Sequence, residues 1–281
     1  MAIENELARR VLAAHPAEAA RVLEALPASA SADLFAGGDA EAAAACLGAM
    51  LAPRAAEVLN ELPLERAAEV LAPLTLDATA ALLRRLGDER REALLAETGG
   101  RRARSLRSLL RFAPGTAGAL MDPEVLALPA DLAVNEAIAR VRETPAQARY
   151  NVYVVDREQH LAGAVNLREL FLADPTALLS SIAHRPRHRL LATADRHAIV
   201  SHPGWREVHA LPVVDRAGTY LGALRYRTLR RLDEELHGTR PDVGATSRAL
   251  GDLFRTGASS VLDALASAGP APGGSRGSDG A

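Results

Sequence analysis

The residue types that most often do chemistry are sparse and poorly spaced in this chain. Of eight histidines, His184 and His188 flank Arg185-Pro186-Arg187, and the proline argues against a shared helical face. His197 and His202 lie five apart, off register for one side of a helix. The single cysteine, Cys46, sits in the apolar stretch from Ala42 to Leu51. It offers neither a thiolate pair for a metal nor a disulfide framework, so a buried, inert thiol in a reducing compartment is expected. No His-Glu-x-x-His and no glycine-rich phosphate loop is present. With no nucleophile motif and no partner to orient one, the chain does not read as an enzyme.

The elements that would position any site are therefore the next question. The chain has 281 residues, enough for two ordinary domains. Aromatics make up only 3%, so the cores must be built from Ala, Leu and Val. All 33 basic residues are arginine, which with the alanine excess reads as genome composition rather than a phosphate-binding role. Net charge is -2 with both signs interspersed, which gives no nucleic-acid footprint. The one dense basic run is Arg101, Arg102, Arg104, Arg107 and Arg111, whose last three members share a helical face opposite Leu106, Leu109 and Leu110, so it reads as the solvated face of an amphipathic helix. No basic-then-apolar leader opens the chain, and no apolar run reaches the ~18 residues of a spanning helix. A cytoplasmic protein without a membrane span is expected.

Residues 1–111 read as consecutive short helices. Ala-Ala-Glu-Val-Leu occurs at 55–59 and again at 67–71, with Ala-Ala-Arg-Val-Leu at 19–23. Pro16, Pro27, Pro53, Pro63 and Pro73 mark boundaries, since proline is tolerated in a helix's first turn and rejected inside it. Such short helices must stack into a solenoid or irregular bundle. Residues 112–236 change character. Tyr153-Val-Val-Asp156, Gly163 and Leu170 align with Pro212-Val-Val-Asp215, Gly222 and Leu229 at a constant offset of 59 residues. Two copies of one α+β unit are implied, over 112–180 and 181–236. A helix is expected over Val134 to Arg142, and Pro203-Gly204 should end its counterpart early. Residues 237–281 are Gly-, Ala-, Ser- and Pro-rich, with room for one short helix around Leu250 to Leu265.

The junction Thr116-Ala-Gly-Ala-Leu-Met121-Asp122-Pro123-Glu124 is similar to a signature of MgtE-type magnesium transporters. Asn151-Val-Tyr-Val-Val-Asp156 with Gly163-Ala-Val-Asn-Leu-Arg-Glu-Leu170 resembles the first CBS (cystathionine-β-synthase) repeat of that family, and Leu211-Pro-Val-Val-Asp215 the second. The resemblance covers roughly residues 1–236. It implies the cytosolic region of such a transporter without its membrane domain: a superhelical all-α N-domain followed by a tandem CBS pair, usually dimeric through the pair. It further implies a regulatory module that senses magnesium and adenine nucleotide and acts on a membrane transporter or another protein.

Carried over residue by residue, the resemblance places acidic magnesium-sensing positions at Asp77, Asp195 and Glu207. Further acidic positions of the family are here Ala81, Arg227, Thr228 and Arg231. Two readings follow: plain decay of an unused site, or Arg227 or Arg231 as a fixed positive charge where the family uses Mg2+, paired with Asp77 or Glu207. For ATP or AMP, the first copy presents Asn166 and Glu169 after Gly163, with Arg168 beside them and Asn151 at the base position. The second copy presents Arg225 and Thr228 after Gly222, with no carboxylate for ribose, so the ATP or AMP site reads as degraded and any binding it keeps as running through the first copy only. The leading reading is a soluble, non-catalytic regulator in magnesium homeostasis. The alternatives are a protein-interaction scaffold whose ligand sites have degenerated, or the separated cytosolic part of a transporter.

Overall fold

The computed structural model describes residues 11–148 and 150–237. The short helix expected around Leu250 to Leu265 lies outside them. Eight helices come first: α1 (Pro16–Leu23), α2 (Ala28–Ala36), α3 (Ala40–Ala49), α4 (Ala52–Glu61), α5 (Leu64–Leu71), α6 (Leu76–Leu83), α7 (Asp88–Thr98) and α8 (Gly100–Leu110). Each begins twelve residues after the one before. Prolines set several of these starts. Pro16 and Pro53 lie in the first turns of α1 and α4, and Pro27 and Pro63 are the N-caps of α2 and α5. Helices of this length are unstable alone. Each of α1 to α6 packs on the second helix ahead of it. The repeated pentad shows how: Ala55, Ala56, Val58 and Leu59 are buried while Glu57 is exposed.

A second device braces the stack. Arg54, Arg66, Arg90 and Arg102 are each the third residue of their helix, in α4, α5, α7 and α8. Each reaches back to backbone carbonyls where the third helix before it ends. Arg66 donates through Nε to Phe35 O at 2.8 Å and also to Gly38 O. Arg90 donates to Leu59 O at 3.0 Å and to Leu62 O. Arg102 donates to Leu71 O at 2.9 Å and Leu74 O at 2.7 Å. Arg54 donates to Leu26 O. The last carbonyls of a helix have no intrahelical partner and carry its negative dipole end, so a guanidinium fork suits them. The arginine excess is thus partly structural, which composition alone does not reveal. Arg102 leaves the solvated run and is half-buried, and burial lowers its pKa. Ala78 holds the equivalent place in α6, the one interruption from α4 to α8.

The duplicated region follows. α9 (Ala117–Leu120) leads into β1 (Ala127–Pro129), α10 (Val134–Glu143), β2 (Asn151–Val155), β3 (Leu161–Asn166), α11 (Leu167–Leu172) and α12 (Leu179–Ile182). The second copy holds β4 (Leu190–Leu191), α13 (Arg196–Val200), a 3-10 turn (Pro203–Arg206), β5 (Ala210–Val214), β6 (Tyr220–Arg225) and α14 (Tyr226–His237). Both sheets have three strands with the same plan: the first two parallel, the last two antiparallel. The 59-residue offset carries even the bulges, between Val154 and Val155 and between Val213 and Val214. α13 has 5 residues against 10 for α10. Pro203 starts a new turn there, as proline in this register must. The hairpin tips bind each other, with Leu161 N donating to Gly218 O at 3.0 Å and Tyr220 N to Gln159 O at 2.9 Å.

The junction signature welds the two regions. Ala117 N and Gly118 N donate to Ala194 O and Ala192 O, both at 2.8 Å. Gly118 has no room for a side chain, because a Cβ would lie 2.5 Å from the Phe112 ring. Met121 is buried in a core shared by the helical stack and the second copy, together with Leu190, Ile199, Leu211 and Leu232. Asp122 exchanges backbone hydrogen bonds with Ala223 at 2.8 and 3.0 Å. Gly222, with φ +155°, allows this approach: a Cβ there would stand 2.6 Å from Asp122 O. Ser105 Oγ, on α8, donates to Glu124 Oε1 at 2.9 Å. The stack therefore shares its core with the copy farther along the chain, while the first copy keeps its own core around Val152, Val154, Val165 and Leu170.

Candidate functional site

The start of β2 faces the start of β5, and β6 runs into α14 beside them. Between these elements lies a cleft of about 340 Å³. Its aromatic wall is Tyr150, His209 and Tyr226, with Tyr150 and His209 ring centroids 5.5 Å apart and His209 and Tyr226 at 6.2 Å. Its basic wall is Arg225, Arg227 and Arg230. The duplication positions both sides alike: Leu167 N donates to Tyr150 O and Tyr226 N to His209 O, each at 2.9 Å. Tyr153 forms the floor. It is buried, its ring lies 5.1 Å from Tyr220, and its hydroxyl donates to Ala210 O at 3.4 Å. Burial raises the pKa of Tyr153, so it stays a neutral donor.

Arg225 is fixed in place. Its guanidinium lies 2.7 Å from Asp122 Oδ2, with the two side chains 14% and 22% exposed, and its Nε is buried without a hydrogen-bond partner. A paired, desolvated guanidinium at the mouth of β6, flanked by two more on the first turns of α14, makes a pre-set seat for oxyanions.

The first copy's candidate residues are arranged differently. Asn151 lines the cleft. Asn166, Arg168 and Glu169 do not. Asn166 caps α11 by accepting from Arg168 N at 2.8 Å, and Glu169 accepts from Asn166 N at 3.4 Å, closing a capping box. Glu169 also lies 3.6 Å from His184 Nε2. The structure thus brings Asn151 together with the second copy's Arg225 and Arg227, and engages the side chains of Asn166 and Glu169, with the backbone N of Arg168, in a helix start. Gln147, Tyr150, His209 and Arg230 complete the cleft. Sequence spacing points to them only through the 59-residue offset, which pairs Tyr150 with His209.

The three carboxylates Asp77, Asp195 and Glu207 are each engaged separately. Asp77, in the first turn of α6, makes an ion pair with Arg231 of α14. Asp195 caps α13, accepting from Ala198 N at 2.8 Å. Glu207 lies 3.3 Å from His188 Nε2. Among the described residues, the one group of three metal-ligating side chains with ligand atoms within 4.8 Å of one another is Asp156, Glu158 and His160. That group forms the β2–β3 turn, where Asp156 Oδ1 accepts from Glu158 N at 3.0 Å and His160 N at 2.8 Å. Asp215 holds the β5–β6 turn in the same way, accepting from Ala217 N and Thr219 N at 2.9 Å. Ala217 and Thr219 offer no carboxylate or imidazole, so turn formation alone accounts for the aspartate. Cys46 is fully buried, and its thiol pKa is pushed up to about 12 by burial and by Glu24.

Residues 14–115 match the family described as the MgtE intracellular N domain, and residues 117–175 match the CBS domain. The chain is therefore an MgtE-like N domain joined to a CBS pair. It is 29% identical over 119 residues to the magnesium transporter MgtE of Thermus thermophilus, covering 42% of this chain and 26% of that protein. With the MgtE of Enterococcus faecalis it is 30% identical over 122 residues, 43% of this chain and 27% of that protein. The chain thus spans about a quarter of the length of the curated relatives it matches. A crystal structure of the cytosolic domain of the Mg2+ channel MgtE in complex with ATP superposes with a TM-score of 0.65 at 26% identity, over 80% of this chain and 93% of that one. The matching families are regulatory and transport-associated domains. Among the described residues no helix is long and apolar enough to cross a membrane.

Proposed function

We propose that this MgtE-like chain is a non-catalytic regulatory module of magnesium homeostasis, working in the cytoplasm and sensing adenine nucleotide in the cleft between its CBS copies. The observation that carries the reading is the pairing of an aromatic wall with three arginines in one cleft of nucleotide size. The likeness to a domain solved with ATP supports it. The base would lie against Tyr150, His209 or Tyr226, and the phosphates against Arg225, Arg227 and Arg230. Asn151 and Gln147 offer amides to the base edge. Ligand occupancy would be passed on through α14, which carries two of the arginines, to a transporter or other protein partner.

Magnesium fits the acidic positions less well. A hard cation takes several oxygens at once. Asp77 instead faces a guanidinium, Asp195 caps a helix and Glu207 faces His188. Each of the three carboxylates thus has a partner of its own.

Thermal unfolding with and without ATP tests the nucleotide reading. A ligand binding only the folded state at about 100 times its Kd adds about 2.7 kcal/mol, so the melting temperature should rise by several degrees. An unchanged melting curve at millimolar ATP removes it. The protein is further proposed to pair through its CBS region. Phe171 and Leu172 at the end of α11 are 49% and 76% exposed, which a second copy would cover. Light scattering on a sizing column should give twice the chain mass, and a monomer mass at every concentration would eliminate the dimer.

A further inference from the structure

We infer that the cleft selects its ligand by phosphate charge and leaves the sugar unread, so that it takes nucleoside polyphosphates, ribo and deoxy alike. This rests on the nucleotide reading above and adds to it which part of the nucleotide is recognised.

The argument comes from what lines the cleft and what does not. Three guanidinium groups converge on it from Arg225, Arg227 and Arg230, and no carboxylate is among its described lining residues. A ribose diol is recognised by an acceptor that takes both hydroxyl protons. The 59-residue offset pairs Glu169 of the first copy with Thr228 of the second, and Asn166 with Arg225. The second copy, which supplies the three arginines of this cleft, therefore has a hydroxyl and a guanidinium where the first has a carboxylate and an amide. Asp122, which is 22% exposed, is committed to Arg225 at 2.7 Å. A site discriminates strongly against a missing hydroxyl only when it has a buried polar group left unpaired by the loss. Among the described lining residues no carboxylate is present to take both hydroxyl protons. The flat rings of Tyr150, His209 and Tyr226 accept any base face. What remains to rank ligands is the number of phosphate oxygens that the three arginines can hold, at roughly tenfold per charge-assisted contact.

Calorimetric titration of the full chain with ATP, 2′-deoxy-ATP, ADP, AMP and inorganic tripolyphosphate reads this directly. ATP and 2′-deoxy-ATP should bind within about threefold of each other, and affinity should fall about tenfold from ATP to ADP and again to AMP. Tripolyphosphate binding that competes with ATP would support the same assignment. In Arg227→Gln/Arg230→Gln the phosphate series should flatten while any stacking contribution persists. A 2′-deoxy-ATP affinity more than about tenfold below ATP, or AMP as tight as ATP, overturns the inference and leaves the nucleotide reading standing. No binding of ATP at all removes both.

Discussion

Replacing Arg102 by methionine should cost the helical domain about 2–4 kcal/mol of unfolding free energy. Methionine keeps an apolar stem of similar reach, so the change isolates the guanidinium. That group donates to Leu71 O, Leu74 O and Thr79 Oγ1, at 2.9, 2.7 and 3.1 Å. Its loss leaves two carbonyls at the end of α5 with no charged donor in a place only partly open to water. Arg104 on the same helix is exposed, and Arg104→Met should change stability by no more than about 0.5 kcal/mol. Urea unfolding of both variants makes the comparison. Equal effects would mean that the arginines act only through net charge and that the brace is energetically silent.

The second large effect is expected at the contact between α6 and α14. Asp77 is 13% exposed and Arg231 41% exposed, and they meet across 154 residues of sequence. An ion pair of this exposure contributes little by itself. Reversing one partner is different, because a nearly buried carboxylate then faces another. Arg231→Asp should destabilise the contact by about 2 kcal/mol and part α14 from the helical stack. Small-angle scattering should show a larger radius of gyration for the variant without magnesium. Millimolar magnesium should restore compactness, because two facing carboxylates are what a hard cation takes. The parent chain should give the same profile with and without the ion. Asp77→Arg combined with Arg231→Asp should be compact without magnesium, which separates the pair from either residue alone. Profiles indifferent to magnesium in both the variant and the parent would discard the view that a guanidinium occupies the place of a cation.

Much of the fold is legible in the residues because its signals are local. Proline places half of the eight stacked helix starts, β-branched runs mark β2 and β5, and the 59-residue offset predicts two sheets of one plan. The site is less legible because its residues are brought together from both copies. Asn166 and Glu169 show why. Asn-x-x-Glu before an apolar run is a helix-start signature as well as part of a ligand motif. In the folded chain the helix start takes both side chains. Asp195 is drawn to a helix start in the same way. Arg231 was legible as a basic residue in an acidic place, but only the packing of α14 brings it to Asp77. The bracing arginines, at positions 54, 66, 90 and 102, escape a reading of composition alone. A uniformly arginine-rich composition hides that spacing unless it is set against helix starts twelve residues apart.

That spacing has a consequence for how the helical domain can vary in length. Every brace spans 28 or 31 residues, the same distance along the chain wherever it occurs. Deleting one residue from a connecting turn would swing the next arginine by a large part of a helical turn, off both of its carbonyls. Adding or removing a whole unit leaves every later arginine the same distance from its target. The stack behaves like a ruler with one graduation, free to be longer or shorter by complete steps and intolerant of fractions.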